Sequence, residues 1–106
     1  MAEYVKVIAA AELPPGQARE VQAGGRTLAL VNVEGQFHAV DNRCVHRGGP
    51  LGQGFVEGHL LGCPWHAWNY DVRTGEMTGN PEFKVACYPV RVEDGQVLVS
   101  PEPVAR

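Results

Sequence analysis

Two short segments, Cys44-Val45-His46 and Cys63-Pro64-Trp65-His66, are separated only by residues 47–62 and carry one thiol and one imidazole each. Soft sulfur and borderline nitrogen donors at such spacing require the chain to bring two distant loops together, because neither segment alone can surround an ion. That requirement constrains the fold more than any other feature of the chain. A third cysteine, Cys87, makes an odd total of three. A complete disulfide framework is thereby excluded, and the thiols are assigned to metal binding or packing.

The scaffold that must deliver these loops reads as all-β. Thirteen glycines and eight prolines in 106 residues favour short strands and tight reversals, and no segment keeps a helical period of apolar residues. Residues 4–9, 18–22, 26–33 and 36–41 alternate or are rich in β-branched side chains, and Gly24-Gly25 and Glu34-Gly35 mark the turns between them. Phe37, Ala39 and Val40 suit a buried edge of a sandwich. Residues 84–93 and 96–100 predict a last hairpin around Asp94-Gly95. Between them, residues 42–81 are broken by glycine at every short run and hold both ligand segments. Residues 1–106 are therefore expected to form one domain, with residues 42–81 as a loop-rich insert.

Composition excludes several functions. A net charge of −3, with no cluster of Lys or Arg longer than two, gives no basic face for nucleic acid. No apolar run approaches a membrane span, and the first residues carry neither a basic leader nor a twin arginine, so a cytoplasmic location without membrane attachment is expected. The glycines match no phosphate-binding loop.

The gaps within the ligand segments narrow the metal. A one-residue gap projects Cys44 and His46 apart in an extended chain, whereas zinc sites use two to four intervening residues. Two adjacent metals resolve this geometry, with Cys44 and Cys63 on one iron, His46 and His66 on the other, and bridging sulfides between. A structural zinc site of two Cys and two His in a β interaction domain is the alternative.

The residues around these ligands resemble the Rieske [2Fe-2S] family. The resemblance rests on Cys44-Val45-His46-Arg47-Gly48-Gly49-Pro50-Leu51, on Cys63-Pro64-Trp65-His66-Ala67-Trp68-Asn69-Tyr70-Asp71, on Arg73-Thr74-Gly75, and on the closing Tyr88-Pro89-Val90-Arg91-Val92-Glu93-Asp94-Gly95. It implies a β-sandwich base carrying a small cluster-binding subdomain, and one [2Fe-2S] cluster held by Cys44, His46, Cys63 and His66. Arg47, Gly48, Gly49, Trp65, Ala67, Trp68 and Tyr70 would surround those ligands.

Respiratory members of the family join their two loops through an extra cysteine pair, and Gly49 and Trp65 occupy those positions here. Their serine donor is replaced by Trp68, while Tyr70 matches their second hydroxyl donor. Hydrogen bonds to cluster sulfur raise the potential, so one lost donor and no disulfide imply the lower part of a span of about −150 to +300 mV. With every protein ligand position taken, no open metal site remains for a substrate, which implies an electron carrier rather than an enzyme acting alone.

The resemblance covers the small ferredoxins that pass electrons from a reductase to a terminal oxygenase, and such a carrier is expected to be a monomer when free. It equally covers the small subunit of assimilatory nitrite reductases, in which the partner is the large subunit. Arg43, Arg47 and Arg73 flank the ligand segments, either steering an acidic redox partner or solvating the loops. Cys87 reads as a small buried hydrophobe, and His38 and His59 as surface or structural residues.

Overall fold

The computed structural model describes residues 4–44, 49–65, 68–80 and 82–103. Among these residues ten strands follow in chain order: β1 (Val5–Ala9), β2 (Gln17–Ala23), β3 (Arg26–Val33), β4 (Gln36–Asp41), β5 (Phe55–Glu57), β6 (Leu60–Gly62), β7 (Asn69–Asp71), β8 (Cys87–Tyr88), β9 (Val90–Glu93) and β10 (Gln96–Val99). Among the described residues the helical pieces are two 3-10 turns, Ala10–Glu12 and Leu51–Gln53.

The strands form three antiparallel sheets, ordered β1-β10-β9, β2-β3-β4-β8 and β5-β6-β7. β3 explains how they stack. From Leu28 to Val33 every one of its residues is buried, and because side chains alternate across a strand they enter two different cores. Leu28 and Leu30 pack with Ile8, Val97 and Val99 of the first sheet. Ala29, Val31 and Val33 pack with Leu51, Leu61, Tyr70 and Val72 on the opposite side. The four-stranded sheet is thus a middle layer, with a small sheet on one face and the ligand-bearing insert on the other.

Strand positions from sequence agree with β1 to β4, and the Asp94-Gly95 turn between β9 and β10 has both residues at positive φ, 50° and 75°, as a tight hairpin of that hand demands. Two expectations change. The single strand expected over residues 84–93 is split at Pro89: Cys87 and Tyr88 pair with β4, while Val90 to Glu93 pair with β10. Proline has no N–H to continue a ladder, but its carbonyl still accepts from Ser100 N at 3.0 Å. β8 consequently covers β4 at Ala39 and Val40, so β4 is not an edge there.

The insert has more regular structure than its glycines suggest. Strands β5 to β7 are three residues each, too short to show a period. Its two ends are held side by side, with Asp41 N bonded to Ala86 O at 3.0 Å and Ala86 N bonded to Asp41 Oδ2 at 2.9 Å.

Candidate metal centre

Each ligand segment begins at the same kind of place, the end of an antiparallel pair. Arg43 bridges Pro50, and just inside that bridge Cys44 N donates to Gly49 O at 3.0 Å. Gly62 pairs with Asn69 at the end of β6 and β7, and just inside that pair Cys63 N donates to Trp68 O at 2.8 Å. Both cysteines are therefore fixed by backbone bonds that reach five residues ahead. His46, Arg47, Gly48, His66 and Ala67 lie outside the described residues.

The two thiols share one buried cluster with Leu51, Leu61, Tyr70 and Val72. Cys44 is 1% exposed and Cys63 0%, and among the described residues no disulfide joins any of the three cysteines. Tyr70, on β7 and wholly buried, sets its hydroxyl 3.1 Å from Cys44 Sγ. Phenol is the stronger donor, so once Cys44 is a thiolate ligand the O–H donates to sulfur.

Gly49 closes over the second thiol. A Cβ built there would lie 2.6 Å from Cys63 Sγ and 3.2 and 3.3 Å from Cδ2 and Cγ of the Trp65 indole, so any side chain would displace one or the other. Trp65 itself is 59% exposed, whereas Trp68 is half-buried against the cysteine-bearing core, with its ring 5.6 Å from that of Phe83.

The base of the first loop is tied to the sandwich by residues that the sequence did not single out. Glu20 on β2 accepts from Asn42 Nδ2 at 2.6 Å and from Gln53 Nε2 at 3.1 Å, and Asn42 Oδ1 accepts from Gly52 N at 2.7 Å. These donors hold the Glu20 carboxyl below its ordinary range. Nothing in the spacing of Glu20 and Asn42 signals the contact, since it depends on how β2 lies beside the loop.

The other candidates sort plainly. Arg73 grips Asp71 with two bonds, Nε to Oδ1 at 3.0 Å and Nη2 to Oδ2 at 2.8 Å, which holds the Asp71 carboxyl below its usual range and spends the arginine within its own turn. Arg43 is exposed. Cys87 is buried with its sulfur 3.8 Å from Val72 O, a packing position. His38 and His59 meet edge-on, ring centres 6.1 Å apart. Burial first, and then the neighbouring His59, push His38 below its ordinary pKa.

The half of the donor set that lies among the described residues, the Cys44 and Cys63 sulfurs, suits iron. Two dry thiolate-forming sulfurs, a hydroxyl aimed at one of them and a glycine seat against the other are what a sulfur-ligated iron needs from its surroundings.

Comparison with known proteins agrees. The family model for the Rieske [2Fe-2S] domain matches residues 3–89. The chain is 35% identical over 98 residues to the ferredoxin component of a naphthalene 1,2-dioxygenase system from Pseudomonas aeruginosa, spanning 92% of this chain and 94% of that protein. It is also 35% identical to the ferredoxin component of an alkene monooxygenase system from Xanthobacter autotrophicus, over 98% of this chain and 86% of that protein. Among solved structures, the ferredoxin of carbazole 1,9a-dioxygenase from Nocardioides aromaticivorans superposes with a TM-score of 0.88 at 28% identity, covering 95% of this chain and 100% of that one. A complex of reduced oxygenase and oxidized ferredoxin in carbazole 1,9a-dioxygenase contains a chain matching with a TM-score of 0.88 at 31% identity, over 97% of each.

Proposed function

The chain belongs to the Rieske [2Fe-2S] domain family, and from that premise we propose how its residues serve as a ferredoxin. It carries one Rieske-type cluster and works as a one-electron carrier, as the ferredoxin components among its relatives do. Cys44 and Cys63 are the ligands of one iron, His46 and His66 those of the other. Residues 1–106 are one domain, with residues 42–81 as the cluster-binding part.

The observation that carries the reading is the convergence of Cys44, Cys63 and Tyr70 in one dry pocket at the ends of two hairpins. When bound, the cluster supplies a single reversible electron. The protein supplies the rest: it excludes water from both sulfurs, orients the thiolates through the Gly49 and Trp68 carbonyl bonds, and donates a hydrogen bond from Tyr70 to Cys44. Sulfur hydrogen bonds favour the more negative, reduced form.

The partners proposed are a reductase that loads the carrier and a terminal oxygenase that unloads it. Support comes from the relatives, which are components of dioxygenase and monooxygenase systems, and from the oxygenase-bound ferredoxin that this chain resembles. The free carrier is taken to be a cytoplasmic monomer. Among the described residues no helix is long and apolar enough to cross a membrane.

Iron and acid-labile sulfide analysis, combined with EPR of the reduced protein, tests the ligand assignment. Two irons, two sulfides and a mean g below that of all-cysteine clusters are expected. A colourless protein with one zinc, or a spectrum of the all-cysteine kind, overturns it. Purification under mild conditions tests the carrier role, since a permanent subunit would elute with a large partner.

A further inference from the structure

Trp65 is an expensive residue to leave where it stands. Its indole is 59% exposed and belongs to neither apolar core, so burial of its ring gives it little reason to stay in one place. Yet the ring is not loose on the surface. The direction in which a Gly49 side chain would point is filled from two sides, by Cys63 Sγ at 2.6 Å and by the Trp65 ring at 3.2 Å from the built Cβ. The crowding by the sulfur and the ring is by itself enough to require glycine there.

The consequence is a contact between the two ligand loops that is independent of the metal. Gly49 ends the first loop and holds Cys44 through its carbonyl. Trp65 lies in the second loop, two residues beyond Cys63. The indole therefore rests on the residue that seats one thiol and orients the other.

We propose that Trp65 is a positioning residue, a non-covalent clasp that presses Gly49 onto the Cys63 sulfur, keeps water from it, and so sets both the retention and the potential of the cluster. The inference rests on the ferredoxin reading. An apolar cover over a ligand sulfur lowers the local dielectric and bars water from hydrogen bonding to it, which disfavours the reduced form. Removing the cover has two effects in one direction each: the potential rises, and the cluster leaves faster.

The test compares Trp65→Ala and Trp65→Phe with the wild-type holoprotein. Cluster loss is followed by bleaching of the visible absorbance under excess chelator, and potential by redox titration monitored by EPR. Trp65→Ala is expected to bleach about tenfold faster, in the range typical of lost outer contacts to a metal site, and to shift the midpoint positive. Trp65→Phe, which restores an aromatic face over Gly49, is expected to recover most of both.

Bleaching and potential unchanged in Trp65→Ala overturn the clasp. So does a faster bleaching that Trp65→Phe does not slow, with the potential unmoved, because that is the signature of general loosening. If Trp65→Ala takes up no cluster, Trp65→Leu and Trp65→Phe decide: a Leu holoprotein that bleaches faster and titrates more positive than the Phe one supports the clasp, and Leu and Phe holoproteins both identical to the wild type overturn it. Failure of the underlying reading is distinct, since the wild-type protein itself would then lack two irons and two sulfides.

Discussion

The hydroxyl of Tyr70 stands 3.1 Å from the sulfur of Cys44, at the centre of a residue cluster from which water is excluded. That hydrogen bond is available to a thiolate and strengthens as the cluster gains an electron. Tyr70→Phe should therefore lower the midpoint potential. A neutral hydrogen bond contributes about 0.5–1.5 kcal/mol, which for a one-electron couple is about 20–60 mV. Redox titration of the variant checks it; an unmoved potential would show that the phenol does not donate to the ligand sulfur.

Tyr88 provides a stability prediction at high pH. Its hydroxyl donates to Asp41 Oδ1 at 2.6 Å, and burial, followed by that carboxylate, pushes its pKa from 10.0 to about 12. The folded state thus keeps a proton that the unfolded state gives up. Its contribution is complete below pH 10 and is lost as the pH rises through about 12. Denaturant midpoints measured across that window should fall in the wild type, and Tyr88→Phe, starting about 1–2 kcal/mol lower, should fall less.

His38 sets the acid side. Its Nε2 is buried without a hydrogen-bond partner among the described residues, and burial, with repulsion from His59 and Arg73 outweighing attraction from Asp71, lowers its pKa from 6.5. Protons then bind the unfolded chain preferentially. Stability from the neutral ring is full above pH 6.5 and declines as the pH falls below it. His38→Gln should flatten that decline in chemical denaturation between pH 7 and 5.

Gly75 tolerates no side chain. It sits at a φ of 82°, and a Cβ there would overlap the carbonyl oxygen of Val85. Strain and overlap together should cost Gly75→Ala about 3 kcal/mol or more, read as a lower thermal midpoint. A midpoint within a degree of the wild type would refute the packing.

Cys87 offers a control on the ligand set. Its thiol is buried among apolar neighbours, with its sulfur 3.8 Å from Val72 O. Cys87→Ala should lose about 1 kcal/mol of stability while iron content and EPR spectrum stay as in the wild type. Loss of iron would make it a ligand.

Much of this was legible from the chain. Cys44 and Cys63 announce themselves by spacing, and β3 by the apolar run of residues 28–31 between turn signals, which suits a strand buried on both faces. Pro89 was visible too, but its consequence was not: whether a proline interrupts a strand or hands it to a second sheet depends on which sheets flank it. The Glu20 tie to Asn42 and Gln53 left no local mark, since partners on different elements obey no period. Strands β5 to β7 were hidden for a different reason, being shorter than two alternations.

The pairing of Asp41 with Ala86 closes the insert at a single doorway, so the chain leaves the sandwich and returns to it through one hydrogen-bonded gate. A segment entered and left at one point behaves as a cassette. Loop closure has already been met by the scaffold, and lengthening the cassette adds little further entropy. Descendants of such a chain can therefore enlarge or reshape their redox tip, and with it their choice of partner, while the sandwich beneath is inherited unchanged.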